Sequence, residues 1–454
     1  MDLLELLKRP EGKTLEFKRD VSSPRGVLKT IVAFANTAGG IIVIGVEDGT
    51  RNVRGVPDPL DLEERIANLI SDQISPRLVP ELEIVPWRGT HVVAMQIFPS
   101  PTRPHFLERE GLTDGVYVRV GSTNRLADTE LIEELRRYAR GEAYDEQPLP
   151  ELNSEAVDFR AASESFAPVR TLRRPDLETL RLVTAHQGRM VPTVGGILLF
   201  GRDRERHFPD AWLQVGRFHG TDKSRIIDHT EIRTHLVRAA DDAIAFVRKH
   251  SLHGAEIGPV RRTELWSIPP VAVREAVINA IAHADYRQRG APIRVAIFDD
   301  RMEVENPGLL PFGLTVEDVQ RGVSKLRNRV IGRVFHSLGL IEQWGSGIQR
   351  MTSACREAGL AAPILEEIGT RFRVTLSTTR VKVLTLGEKD QAILNAFENV
   401  DHGMSTSEIA KIVEMSTRAT RTRLAGLAER GLVREVGTGP QDPKRRYYRT
   451  DQYS

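Results

Sequence analysis

The chain has 454 residues, too many for one hydrophobic core, and ordinary domain sizes suggest about three domains. With 40% hydrophobic and 28% charged residues it reads as globular, and its longest apolar runs, such as Gly39 to Val46, fall far short of the ~20 residues that cross a bilayer. A net charge of +2 argues against a whole-chain polyanion binder, the single Cys355 excludes an internal disulfide or a Cys-rich zinc site, and early acidic residues with no apolar stretch exclude a secretory signal, so a cytoplasmic protein without a membrane partner is expected.

The first segment alternates strands and helices. The β-branched run Gly40 to Val46 predicts a buried strand, Leu60 to Ile74 has helical spacing, and Arg88 to Phe98 reads as a hairpin partner. Val116 to Val120 alternates as a strand, and Asp128 to Arg140 is an amphipathic helix with Asp128 as N-cap. Gly141 to Asn153, acidic and with two prolines, is expected to be a linker.

The second segment is expected to bring a buried strand at Thr193 to Gly201 and a long helix near Glu231 to His250. Arg274 to Tyr286 reads as a helix that puts Glu275 and Asn279 on one face, with His283 a turn further on. A strand at Ile293 to Phe298 follows, then Met302 to Pro311 with Asn306-Pro307-Gly308, and then Gly345-Ser346-Gly347 ahead of another helix.

In the third segment, Lys389 to Phe397 is helical, Ser405 to Glu408 is a capping-box start for a second helix, and Ser416 to Ala428 is a third. Ala419, Leu424 and Leu427 can face the core of that helix, with Arg418, Arg421 and Thr422 on the other side. Two strands, Gly431 to Val436 and Arg446 to Arg449, flank a basic loop that carries Lys444 and Arg445 up to Arg446. From Thr417 to Arg449 there are nine Lys/Arg against three Asp/Glu, a local excess suited to phosphate. The order resembles the winged-helix superfamily, which implies that Arg418, Arg421, Thr422, Lys444, Arg445 and Arg446 contact double-stranded DNA; a winged helix used only for protein contacts is the alternative.

Three ordered motifs mark the first segment: Glu11 to Lys18, Ile31 to Gly40 and Ile44 to Gly49. They resemble the Schlafen-type AlbA-like domain, a nucleic-acid binder that in some members is a metal-dependent ribonuclease. The resemblance places Glu11, Glu16 and Asp48 at the family's acidic positions, where clustered carboxylates can hold a divalent metal. A structural Glu16–Lys18 ion pair is the alternative. Gly12-Lys13-Thr14 is no P-loop, because the first glycine that motif needs falls at Leu7.

The second segment is similar to the GHKL nucleotide-binding fold and to the RecG-related domains that follow Schlafen-type domains in bacteria. That resemblance implies Glu275 as the base for water, Asn279 as a Mg²⁺ ligand, and His283, Asn306, Gly308, Gly345 and Gly347 around bound ATP. One departure stands out: Asn306 replaces the usual adenine-binding aspartate and Leu310 its second glycine, which weakens adenine recognition. A retired fold serving as scaffold is the alternative.

The expected architecture is an α/β multidomain chain: an AlbA-like α+β domain at 1–145, a GHKL-like α/β sandwich at 146–380 and a winged helix-turn-helix at 385–454. A DNA-binding, ATP-binding transcriptional regulator is the first expectation. A metal-dependent nuclease acting on RNA or DNA is the second. Oligomerisation is left open.

Overall fold

The structure is a computed structural model and describes residues 1–257, 262–342, 345–380, 387–397, 403–429, 432–436 and 446–450. It divides into two compact units, Met1–Val381 and Lys382–Ser454. No helix among the described residues is long and apolar enough to cross a membrane.

The N-terminal sheet has the strand order Leu15–Lys18, Gly40–Ile44, Thr90–Ile97, Glu81–Trp87. The first pair is parallel and joined by helix Pro24–Asn36, and the other pairings are antiparallel. Strand Gly40–Ile44 is apolar throughout because both of its faces are covered. Ile42 and Ile44 pack under Val27, Ile31 and Phe34 of the helix, whereas Val43 joins Leu15 and Phe17 beneath Leu3 and Leu6. Asn36, fully buried, donates to the carbonyls of His105 and Tyr117 and accepts from the His105 N–H, so it splices three backbone groups that lack a ladder partner.

Asp128 caps helix Thr129–Ala139 as expected. The Gly141 to Asn153 stretch is not the loose linker its composition suggests. Its Asp145 is buried and accepts three backbone N–H bonds, from Arg329, Val330 and Ile331, at the start of helix Arg329–Ser337. The carboxylate satisfies orphan donors at that helix terminus and pins the segment down.

Among the described residues of the central region, six strands form one sheet in the order Ile226–Ile232, Leu213–Phe218, Ile293–Ile297, Arg301–Pro307, Arg371–Ser377, Ile364–Ile368. Only the Leu213–Phe218/Ile293–Ile297 pair is parallel. Helices Leu236–Ser251 and Pro270–His283 pack on this sheet and on each other, and helix Gly347–Glu357 packs on Pro270–His283. Two expectations change here. The long helix begins at Leu236, because Glu231 belongs to the edge strand Ile226–Ile232. The run Thr193 to Gly201 is not a strand but the helix Val194–Phe200, capped by the Thr193 hydroxyl on the Gly196 N–H. A short apolar run that is buried on every side looks the same in either state. A Cβ on Gly196 would lie 2.0 Å from the Leu182 carbonyl oxygen, so the helix seats there only with glycine.

The second unit holds helices Glu388–Asn395, Thr406–Ile412 and Thr417–Glu429 and the antiparallel strands Val433–Val436 and Arg446–Arg449. Ile393, Ile409, Leu424, Leu427 and Tyr447 form its core. The capping box at Ser405 and Glu408 is present, with both reciprocal bonds made. Ala419 is exposed, and Thr420 takes the core position expected for it. The buried set Thr420, Leu424, Leu427 follows the i, i+4, i+7 stripe of one helix face.

Candidate functional site

Helix Pro270–His283 is apolar on nearly all sides because it lies between the sheet and two other helices. Against that background Glu275, 3% exposed, is conspicuous. Asn279 lies one turn on, and opposite both starts helix Gly347–Glu357. A Cβ on Gly347 would sit 2.7 Å from Glu275 Oε2 and 3.3 Å from Asn279 Nδ2, so glycine is what permits this approach. Gly345 has φ +68° and equally little room, since its Cβ would lie 2.6 Å from Ser324 Cβ.

Glu275, Asn279, His283, Asn306, Gly345 and Gly347 all wall one cavity of about 110 Å³. They come from three separate stretches of chain. Asn306 is buried on the central strand Arg301–Pro307, and its amide nitrogen donates to the Pro307 carbonyl at 3.0 Å, which leaves Oδ1 as its acceptor atom. Burial, reinforced by the Arg327 charge, pushes the His283 imidazole down to about 4, so it is neutral at pH 7. Gly308 is not on this wall. With φ +95° it packs against Asp285, whose Cβ an added methyl would meet at 2.8 Å, and close to the Arg327 guanidinium.

Glu275 is not a free carboxylate. Arg350 Nη2 lies 3.0 Å from its Oε1 and Arg274 Nη1 lies 3.3 Å away. Arg350 also pairs with Glu342. Sequence reasoning missed Arg350, and the available signal was its i, i+3 spacing from Gly347, which places it on the same helix face. Lys325 and Glu342 on the cavity wall carried no such signal.

The fold brings Glu11, Glu16 and Asp48 close together. Glu11 accepts the Phe17 N–H at 2.7 Å. Its carboxyl titrates above the ordinary range, first through burial, against the pull of that N–H, with the Glu16 and Asp48 carboxylates adding to the rise. Glu16 is bound on both oxygens, by Arg119 Nη2 at 2.5 Å and by Lys18 Nζ at 2.5 Å. Arg119 is fixed in turn by the Gly12 carbonyl at 3.0 Å and Asn124 at 2.9 Å. Among the described residues, no group of three or more His, Cys, Asp or Glu is arranged to hold a metal ion.

In the second unit Arg418, Arg421 and Thr422 are exposed on helix Thr417–Glu429. Arg423 pairs with Asp390 at 2.6 Å and so ties that helix to the first. Arg446 is already engaged, with the Gly403 carbonyl at 2.7 Å and Glu408 at 3.1 Å. Lys444 and Arg445 lie outside the described residues.

Residues 11–128 match the family described as Schlafen, AlbA_2, and residues 290–376 match the one described as "Putative ATP-dependent DNA helicase recG C-terminal". The crystal structure of the DIP2311 protein from Corynebacterium diphtheriae resembles the chain at a TM-score of 0.50 and 17% identity, over 96% of this chain and 95% of that one, a likeness of fold. The solution structure of the N-terminal domain of a RecG-related protein from Nitrosomonas europaea aligns at 24% identity over 27% of this chain and 91% of that one, with a TM-score of 0.22. Among curated proteins none matches. The two family matches point to a nucleic-acid-related protein with an ATPase-like domain. The chain thus carries a stretch that matches the Schlafen, AlbA_2 family ahead of one that matches the recG C-terminal, ATPase-like family.

Proposed function

We propose that this chain is a transcriptional regulator whose grip on duplex DNA depends on a bound nucleotide. The observation that carries this reading is the convergence of Glu275, Asn279, His283, Asn306, Gly345 and Gly347 on one cavity. Their chemistry fits ATP with Mg²⁺. The Asn279 amide oxygen is a metal ligand, the N–H groups at the start of helix Gly347–Glu357 suit phosphate, and Asn306 Oδ1 suits the adenine amino group. Bound Mg²⁺ would neutralise phosphate charge. Glu275, held by Arg350 and Arg274, is poorly placed to activate water, so the reading is binding rather than turnover.

The cavity of about 110 Å³ is smaller than the roughly 300–1,000 Å³ of ordinary ligand pockets, so its walls must part to admit a nucleotide. One wall is Leu309 to Pro311. The Leu310 N–H is held at 2.9 Å by Glu367 Oε1, and Glu367 also binds Lys13 at 2.7 Å, between Glu11 and Glu16. Opening the cavity therefore strains a tie to the AlbA_2 region, which gives nucleotide a route to that region.

For the second unit the reading is a winged helix, with Arg418, Arg421 and Thr422 at the start of its third helix meeting the major groove. The test is duplex affinity across a salt series, with and without Mg²⁺–ATP. Arg418→Ala with Arg421→Ala should flatten the slope by about two units, one per phosphate contact. ATP should change the affinity of wild type but not of Asn279→Ala. An unchanged slope removes the DNA interface, and an ATP response that survives Asn279→Ala removes the nucleotide site.

A further inference from the structure

A second cavity, about 760 Å³, lies within the Met1–Val381 unit where helix Thr129–Ala139 meets the stretch that leads into helix Arg329–Ser337. Arg137, Lys325, Arg327, Arg329 and Arg333 line it. Some of this charge is balanced. Arg327 and its neighbour Arg287 share Glu134 and Asp285, while Arg329 and Arg333 share Glu146 at 3.4 and 3.8 Å.

Arg137 and Lys325 are different. Among the described residues neither has a carboxylate within ion-pair distance. Lys325 Nζ donates to the Phe312 carbonyl at 3.3 Å and sits 4.0 Å over the Tyr138 ring, and Arg137 lies 5.8 Å over the Tyr144 ring. Both titrate below their ordinary values, chiefly through burial, and the Arg103 and Arg329 charges depress Lys325 further. Guanidinium donors are also left over, since Arg327 Nε and Arg333 Nη1 are buried without an acceptor. Glu134, Glu142, Asp285 and Glu342 also line the space, but none of them pairs with Arg137 or Lys325, and a desolvated cation without a paired anion is costly.

We propose that this cavity is a second ligand site, one that binds a small polyphosphate-bearing molecule of nucleotide size. Its volume falls in the ordinary range for such ligands, unlike that of the Asn279 cavity. Planar guanidinium groups on two elements, with a lysine as a point charge, suit several phosphoryl oxygens at once. Ser324, Lys325 and Leu326 form part of both cavity walls, so occupancy here presses on the boundary of the Asn279 cavity. The site stands independently of the nucleotide reading, because Arg137, Arg327, Arg329 and Arg333 line only the larger cavity.

Calorimetric titration of the full chain with tripolyphosphate tests it. Wild type should bind saturably. Arg137→Gln with Arg333→Gln should weaken binding by about tenfold or more, the size expected from losing charge-assisted hydrogen bonds. Lys325→Gln, which leaves both helices untouched, should weaken it in the same direction. Asn279→Ala should leave it within about twofold, since Asn279 lines only the smaller cavity. Absence of saturable binding by wild type at millimolar tripolyphosphate overturns the proposal. So does binding that survives Arg137→Gln with Arg333→Gln and disappears in Asn279→Ala, which would move the anion to the other cavity.

Discussion

Glu16 and Glu275 are both acids that sequence motifs put forward as catalytic, both are nearly buried, and both are gripped by arginine, yet the two arginines differ. Arg119, which holds Glu16, is 1% exposed and is itself locked by Gly12 and Asn124. Arg350, which holds Glu275, is 33% exposed, shares itself with Glu342 and stands at a cavity wall. A buried partner that cannot leave makes a strut, whereas a half-exposed partner beside open space can swing away and free its carboxylate. Burial of the acid alone does not separate the two cases. The freedom of its counter-ion does.

The largest effect expected from this contrast is in the strut. Arg119→Ala strips Glu16 of its innermost partner and leaves a buried carboxylate with only Lys18, which is 31% exposed. Breaking such a pair costs about 3–5 kcal/mol. Urea unfolding followed by tryptophan fluorescence should show that loss, and a cost under about 1 kcal/mol would make the pair peripheral and reopen Glu16 to chemistry.

Asp145 sharpens the comparison, because its partners are backbone N–H groups and not arginine. Burial pushes its carboxyl up to about 7, although the three N–H groups of Arg329, Val330 and Ile331 pull the other way. With a folded pKa above the ordinary value of 3.8, the folded state holds the proton more tightly than the unfolded chain does. That contribution to stability is fully present below the unfolded pKa and is lost as pH rises through about 7. Asp145→Asn cannot titrate. Wild type should therefore lose roughly 2–3 kcal/mol relative to Asp145→Asn between pH 5 and pH 8. Thermal unfolding of both proteins across that range measures it, and a gap that is flat or widens in the opposite direction refutes the assignment.

Much of the architecture was legible in the sequence because alternation and capping are local. Asp128, Ser405 and the run Gly40 to Ile44 each state their element within a few residues. The Glu275–Asn279 face and the Gly345–Gly347 turn were legible for the same reason, since helical spacing and paired glycines are short-range patterns. What failed depended on distant neighbours. Thr193 to Gly201 became a helix through the contact of Gly196 with Leu182, and the Arg119 partner of Glu16, about a hundred residues away, had no local signal. Gly308 left the cavity because Asp285 and Arg327 close around it. The second cavity draws on helix Thr129–Ala139 and on residues near 285 and 325, a conjunction that no local pattern encodes.

The smallest effect belongs to Arg350. Arg350→Ala removes the 3.0 Å contact to Glu275 but leaves Arg274 at 3.3 Å, so the carboxylate is not orphaned. The lost pair is itself a third exposed on the arginine side, and pairs of that kind contribute about 0–1 kcal/mol. Stability should therefore fall by less than about 1 kcal/mol, far below the cost at Arg119. Function should separate the two more clearly than stability. Removing Arg350 clears one wall of the Asn279 cavity, so Mg²⁺–ATP should raise the melting temperature of Arg350→Ala by more than it raises that of wild type. A fall in stability as large as that of Arg119→Ala would show that Arg350 is also a strut, and the distinction between the two carboxylates would collapse.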